Sequence, residues 1–324
     1  MTFHHSPEFR EALQAAASSL RMRPVLIEKD YWVTLVLRNL ALSDFSDNVV
    51  FKGGTSLSKA YHCIDRFSED VDLAILKGTG ISKNQLNKLI KSVEQSITIG
   101  VQYIPDHPSE EKRGRNRKTF YRYPTTGPSN EFGNVKGEIQ IEINSFTHPI
   151  PFEIIEIESY LAVFLRKNGF DNFVEEFQLQ PYKLQVLSRE RTFFEKLLSL
   201  VRLSYEGKET IRKKVRHFYD LFKLYNLPDL NASLLTTDSF PLIDSVIADD
   251  KANATFAGKW LAHPLSTCPL FAGIDQFWPA IASTYTSELS ELSWSPAIPT
   301  AEQIHGLLFE LGDFLQKFDD KKSL

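Results

Sequence analysis

The chain has 324 residues, 42% of them apolar and 24% charged, with a formal net charge of −4. These values suit one large globular domain or two ordinary ones and exclude a chain that is basic overall. There is no apolar stretch of membrane-spanning length, no signal-peptide layout in MTFHHSPEFREALQAAASSL, and no CxxC beside the two cysteines Cys63 and Cys268, so a reduced, cytoplasmic protein is expected.

Residues 6–21 and 24–41 read as helices, the second with Pro24 in its first turn. NVVFKGG reads as a short strand ending in a glycine turn, and TSLSKAYHCI as a helix with Thr55 or Ser56 at its N-cap. In EDVDLAIL, Val71, Leu73 and Ile75 alternate with Asp70, Asp72 and Ala74, which is strand periodicity. SKNQLNKLIKSVEQSI is an amphipathic helix. VQYIP, KTFYRYP and KGEIQIEINSF are strand-like, and the turn-rich TTGPSNEFGN between the last two suggests a long hairpin. In IQIEIN, Gln140, Glu142 and Asn144 share a face. From about residue 155 the character becomes helical, first in RERTFFEKLLSLVRLSYEG and IRKKVRHFYDLFKLYNL, then in segments around residues 240–252, 271–294 and 301–318. The expected division is an α/β region over 1–160 and a mostly helical region over 161–324, with the boundary between 150 and 185.

Asp70 and Asp72 point to one side of their strand, a few ångströms apart. Like charges at that range need a shared proton, a nearby cation or a divalent metal. An oxygen-only pair suits a hard ion, Mg²⁺ or Mn²⁺, more than zinc, and no HExxH or Cys/His pair at zinc spacing competes. A DxD taken alone is more often a solvated strand pair. Here it follows strand–Gly53-Gly54-Thr55-Ser56–helix, in which glycines let backbone amides approach an anion and a helix N-terminus favours phosphate. A phosphate cradle upstream of a metal-binding pair suits a metal-bound nucleoside triphosphate. No GxxxxGK[ST] is present.

GGTSLSKAYHCIDRFSEDVDLAI resembles the signature of the DNA polymerase beta-type nucleotidyltransferases. Gly53-Gly54-Thr55 followed by RFSEDVD (66–72) resembles more specifically the AbiEii/AbiGii toxin branch, as does EKDYWV (28–33) upstream. The resemblance runs from about residue 25 to 225 and is strongest over 51–75. It implies an α+β fold, with a mixed sheet flanked by helices and a mostly helical C-terminal domain. It also implies metal-binding roles for Asp70 and Asp72 and phosphate contacts for Gly53, Gly54, Thr55 and Ser56. A third carboxylate is expected on a neighbouring strand, with Glu142 the candidate and Glu138 the weaker one. Lys196, on a Phe- and Leu-rich helix, matches a triphosphate-binding lysine, against the plain reading of a lysine snorkelling from a helix edge. Asp220 matches a family aspartate in the next helix, as a base, an orienting group or an ion-pair partner of Lys196 or Arg216. Two departures stand out. His217 replaces the first acid of the family's R-D-x-x-D, and fifteen residues separate Gly54 from Asp70, at the long end for the superfamily.

The activity so implied is transfer of a nucleoside monophosphate from an NTP, with release of pyrophosphate. The setting is a type IV toxin–antitoxin or phage-defence system with an antitoxin encoded nearby. A tRNA 3′ end is the favoured acceptor. The basic runs KRGRNRK (112–118) and RKKVRH (212–217) fit RNA, and Tyr121 and Tyr123 could stack on bases, although a half-buried strand explains them equally. Protein nucleotidylation, a phosphodiesterase using the same carboxylates, and a non-catalytic member of the fold are the alternatives. Phe271, Phe277, Trp278 and Tyr285 recur near helical spacing and read as core. The histidines form no ligand pattern.

Overall fold

Hydrophobic alternation makes the central sheet and decides which side of it is buried. A computed structural model describes residues 2–68, 70–78, 80–126, 137–295 and 297–323. Two compact units are present. The first comprises residues 1–61, 67–145 and 152–187, and the second comprises 62–66, 146–151 and 188–324.

In the first unit, helices α1 (Glu8–Leu20) and α2 (Pro24–Ala41) precede β1 (Val49–Lys52), α3 (Gly53–Lys59) and β2 (Asp70–Ile75). Then come α4 (Lys83–Ile97), β3 (Gln102–Tyr103), β4 (Glu111–Arg113), β5 (Asn116–Arg122), β6 (Glu138–Asn144), β7 (Phe152–Ile157), α5 (Tyr160–Lys167), α6 (Asp171–Glu176) and β8 (Tyr182–Leu187). The sheet order is β3-β5-β6-β2-β1-β8-β7, with β4 on β5. It is mixed: β2–β6 and β1–β8 are parallel and the other pairs antiparallel. Val49, Phe51, Val71, Leu73, Ile75, Ile139, Ile141 and Ile143 face one apolar core with α1, α2, α4 and α5. By strand alternation Lys52, Asp70, Asp72, Gln140 and Glu142 lie on the other face.

Several elements differ from their sequence reading. The helix after the glycines runs only to Lys59, and it starts at Gly53 with Lys52 in the N-cap position, so Thr55 and Ser56 are inside it. Strands β7 and β8 extend the sheet through a region whose sequence reads as the start of the helical half. In YKLQVL, Tyr182, Leu184 and Val186 alternate with Lys183 and Gln185, a strand signal that the sequence reading passed over, whereas FEIIEI alternates less cleanly and is fixed by pairing with it. KRGRNRK folds as the β4–β5 hairpin with Gly114 and Arg115 at its turn. Most of TTGPSNEFGN, like Glu69, lies outside the described residues. Ser82 caps α4 through a reciprocal pair of hydrogen bonds with Gln85, which closes both orphan donors.

The second unit is helical. Its centre is α7 (Arg189–Ser204), followed by α8 (Lys208–Arg212), α9 (Arg216–Tyr225), α10 (Asn231–Leu234), α11 (Phe240–Ala252), α12 (Pro269–Ala272), α13 (Ile274–Phe277), α14 (Pro279–Leu292) and α15 (Ala301–Ser323). Turns interrupt the helix expected across 211–227 at residues 213–215. Pro279 restarts the one expected across 271–294, as its missing N–H suits a first turn. Phe277, Trp278 and Tyr285 are buried, with Trp278 edge-on to Phe218. No helix among the described residues is long and apolar enough to cross a membrane.

Candidate active site

The turn from β1 into α3 lies directly on the aspartate strand. Gly53 has φ +82°, a left-handed conformation that side chains disfavour. A Cβ on it would fall 2.1 Å from Asp72 Oδ2. Only glycine leaves room for that carboxylate, so the glycine turn and the second aspartate occupy one place. Thr55 ties the two segments together, its Oγ1 donating to the Asp70 carbonyl at 2.6 Å and accepting from Ser68 Oγ at 3.0 Å. Ser56 Oγ donates to the Gly53 carbonyl at 2.9 Å. Both hydroxyls are buried and committed to backbone or side-chain partners within the turn. What the turn can offer a phosphate is its backbone.

Register places the acids. Asp72 pairs with Glu142 on β6 and with Lys52 on β1, Asp70 pairs with Gln140, and Glu142 pairs with Lys118 on β5. One row across four strands therefore reads Lys52, Asp72, Glu142, Lys118, with two acids between two bases, all half-buried. Neighbouring strands are about 4.8 Å apart, and two carboxylates at that spacing repel by about 3 kcal/mol in a partly wet site. Lys52 and Lys118 flank the acids without separating them. Glu138 lies beyond this row, opposite Arg122, and is 3.3 Å from His107.

The donor types at Asp70, Asp72 and Glu142 are all carboxylate oxygens, which fits a hard divalent ion. The cradle over Gly53 fits as well, since it keeps the Asp72 oxygen clear of side-chain carbon. Among the described residues, no three His, Cys, Asp or Glu side chains are gathered closely enough to hold an ion by themselves. Phosphate oxygens and water would complete such a shell.

The EKD of α2 is buried and ionic. Asp30 accepts from Lys59 Nζ at the end of α3 and from the Tyr160 amide at 2.8 Å, and Glu28 accepts from the Thr126 amide at 2.7 Å. Burial raises the Glu28 carboxyl above its usual range despite that hydrogen bond. These charges hold α2, α3 and α5 together behind the sheet. Tyr121 and Tyr123 are buried, with Arg122 exposed between them, so strand burial accounts for the two rings and they are not a base-stacking platform.

In the second unit, Asp220 on α9 is fully buried. Arg66 grips it with Nε to Oδ1 at 2.7 Å and Nη2 to Oδ2 at 2.6 Å, and Lys196 Nζ on α7 lies 2.8 Å from the same Oδ2. Burial pushes the Asp220 carboxyl up, and the charges of Arg66 and Lys196 more than offset it, so it sits below its usual range. Arg216 is 3.0 Å from Glu288 instead. His217 Nδ1 is buried with no hydrogen-bond partner among the described residues. Burial, then the charges of Lys196, Lys214, Arg66 and Arg216, drive its pKa well down, so a neutral ring stands where an acid is expected.

A family model described as nucleotidyl transferase AbiEii toxin, type IV TA system, matches residues 35–301. The chain belongs to the AbiEii nucleotidyltransferase toxin family. Among solved structures it is similar to MenT4, a nucleotidyltransferase toxin from Mycobacterium tuberculosis H37Rv. The two share 16% identity with a TM-score of 0.53, over 92% of this chain and 87% of MenT4. That likeness shows the fold, a mixed sheet flanked by helices with a helical C-terminal region. No curated protein gives a significant match.

For this AbiEii chain, sequence reasoning missed Arg66. Arg66 entered only within the RFSEDVD match, with no role of its own, yet it is 3% exposed and makes the bidentate contact to Asp220. An arginine wedged between Ile64 and Phe67 was the available signal, and nothing local names its partner.

Proposed function

We propose that this AbiEii-family toxin transfers a nucleoside monophosphate from an NTP to an RNA acceptor, the 3′ end of tRNA being the acceptor that the family resemblance favours. The observation that carries the reading is the Asp72 carboxylate seated over Gly53, in register with a second carboxylate, Glu142. Phosphate-approachable backbone and oxygen ligands are thereby brought to one point of the sheet.

In the reaction, the acceptor hydroxyl oxygen bonds to the α-phosphorus. The bond from that phosphorus to the bridging oxygen breaks, pyrophosphate leaves with the electron pair, and the hydroxyl proton passes to solvent. Asp70, Asp72 and Glu142 would hold Mg²⁺ or Mn²⁺, which when bound supplies Lewis-acid stabilisation of phosphoryl charge. Gly53 and Gly54 offer backbone to phosphate oxygens, while Thr55 and Ser56 hold the turn in shape. Lys196 neutralises triphosphate charge. Asp220 orients Lys196 and is not a base, because a buried carboxylate already accepting from two cations has no room to take a proton near neutral pH. RNA as the acceptor is supported by the β4–β5 hairpin, whose Arg113 and Arg115 are exposed. A cognate antitoxin follows from the toxin family.

The test is incubation with each labelled NTP, Mg²⁺ and a total RNA pool. The expected outcome is label at one RNA end together with free pyrophosphate, abolished by Asp70→Asn or Asp72→Asn in protein that stays folded. Full activity in both variants would sink the proposal. Label on protein alone would replace the RNA acceptor with a protein one, and released nucleoside monophosphate would indicate a hydrolase.

A further inference from the structure

Lys196 is a buried ammonium, 6% exposed, and Asp220 Oδ2 is its ion-pair partner. An ammonium has three N–H donors. At most one is turned to Asp220, and the other two have no acceptor among the described residues. A buried cation in that state is costly unless an anion or water completes its bonding. Asp220 is itself held from the other side: each of its oxygens accepts from Arg66, with the forked geometry that holds a carboxylate in one plane.

We infer that Arg66 is the positioning residue that keeps Lys196 available to phosphate, acting through Asp220. Arg66 engages the whole carboxylate and fixes its plane, so Lys196 meets one edge of an acid that is already neutralised. Without Arg66, Asp220 would turn its full charge on Lys196. Their existing 2.8 Å ion pair would then carry the whole charge of the acid, which strengthens its hold on the lysine against any incoming anion. The neutral His217 beside them is consistent with this, since an acid there would draw on the same cations. The inference rests on the reading of Lys196 as the triphosphate-binding cation, and it adds the residue that makes that role possible.

The experiment is equilibrium binding of each of ATP, CTP, GTP and UTP to the full chain, with steady-state incorporation measured in parallel. In wild type one NTP binds, and Lys196→Met weakens it. Arg66→Met is expected to raise the Kd and KM for that NTP about tenfold or more, with a smaller fall in kcat. The double variant Arg66→Met/Asp220→Asn removes the acid that captures the lysine and should bind NTP at least about threefold more tightly than Arg66→Met. It also removes the uncompensated buried carboxylate, so it stays informative if Arg66→Met alone fails to fold. An Arg66→Met protein that binds NTP like wild type overturns the inference while leaving the Lys196 reading intact. So does a folded double variant that binds no better than Arg66→Met, or one that binds no NTP. Wild-type-like binding in Lys196→Met, or no NTP binding by wild type, removes the underlying reading and the inference with it.

Discussion

The two units handle charge in opposite ways. On the sheet, Asp72 and Glu142 are like charges side by side, half-exposed, with lysines at the ends of the row. In the helical unit, Asp220 is fully buried between two cations that meet it directly. The first arrangement sets two acids in adjacent register positions on a half-exposed face, whereas the second encloses one acid between two cations. On the proposed reading, carboxylates of the first kind bind and one of the second kind holds other groups in place. Deleting a charge should therefore harm function in one unit and the fold in the other.

The sharpest way to break this comparison is Asp220→Ala. It strands Arg66 and Lys196 in the interior, and removing one partner of such a cluster costs about 3–5 kcal/mol. Urea unfolding should show this as a large fall in midpoint, while Asp72→Asn, at a half-buried position, changes the midpoint by less. Equal losses in both would erase the distinction between the units.

Gly53→Ala is the next test. It must strain a left-handed backbone and push the Asp72 carboxylate off its place, at about 1–3 kcal/mol. Incorporation should fall by about a hundredfold, since a misplacement of an ångström at a reacting site costs that much. Near-wild-type incorporation would show that the Asp72 position over Gly53 is unimportant.

The smallest expected effect is on pH. The folded Asp220 pKa lies below its ordinary value of 3.8. Its stabilising contribution is therefore fully present above that value and is lost as pH falls through the folded pKa. Unfolding free energies measured from pH 7 to pH 3 should show wild type losing its advantage over Asp220→Asn below about pH 4. An advantage that is constant across the range would mean that the cations do not lower this group.

Much of the sheet unit was legible because its signals are local. Alternation in EDVDLAIL and IQIEIN gives strands and faces, the double glycine gives a turn, and the apolar spacing in SKNQLNKLIKSVEQSI gives a helix. The expectation that Thr55 or Ser56 caps α3 failed because the glycines themselves open the helix, which turns both hydroxyls inward. Strands β7 and β8 were not read: YKLQVL does alternate, but FEIIEI lacks a clean period and is decided by what it pairs with. In the helical unit the sequence marked Lys196 and Asp220 by resemblance and left Arg66 unremarked, since its partner is 154 residues away.

By itself the sequence determined which residues could do chemistry: a glycine turn, two aspartates at strand spacing, a glutamate on another strand, a lysine in an apolar helix. Backbone conformation and side-chain period are set within a few residues, so a linear reading reaches them. Only the tertiary structure decided that Asp72 sits over Gly53, that Glu142 is its register partner, and that Arg66, Asp220 and Lys196 form one buried cluster. Those facts depend on strand pairing and on desolvation, which make a charge seek whichever opposite group the fold brings near, at any distance along the chain.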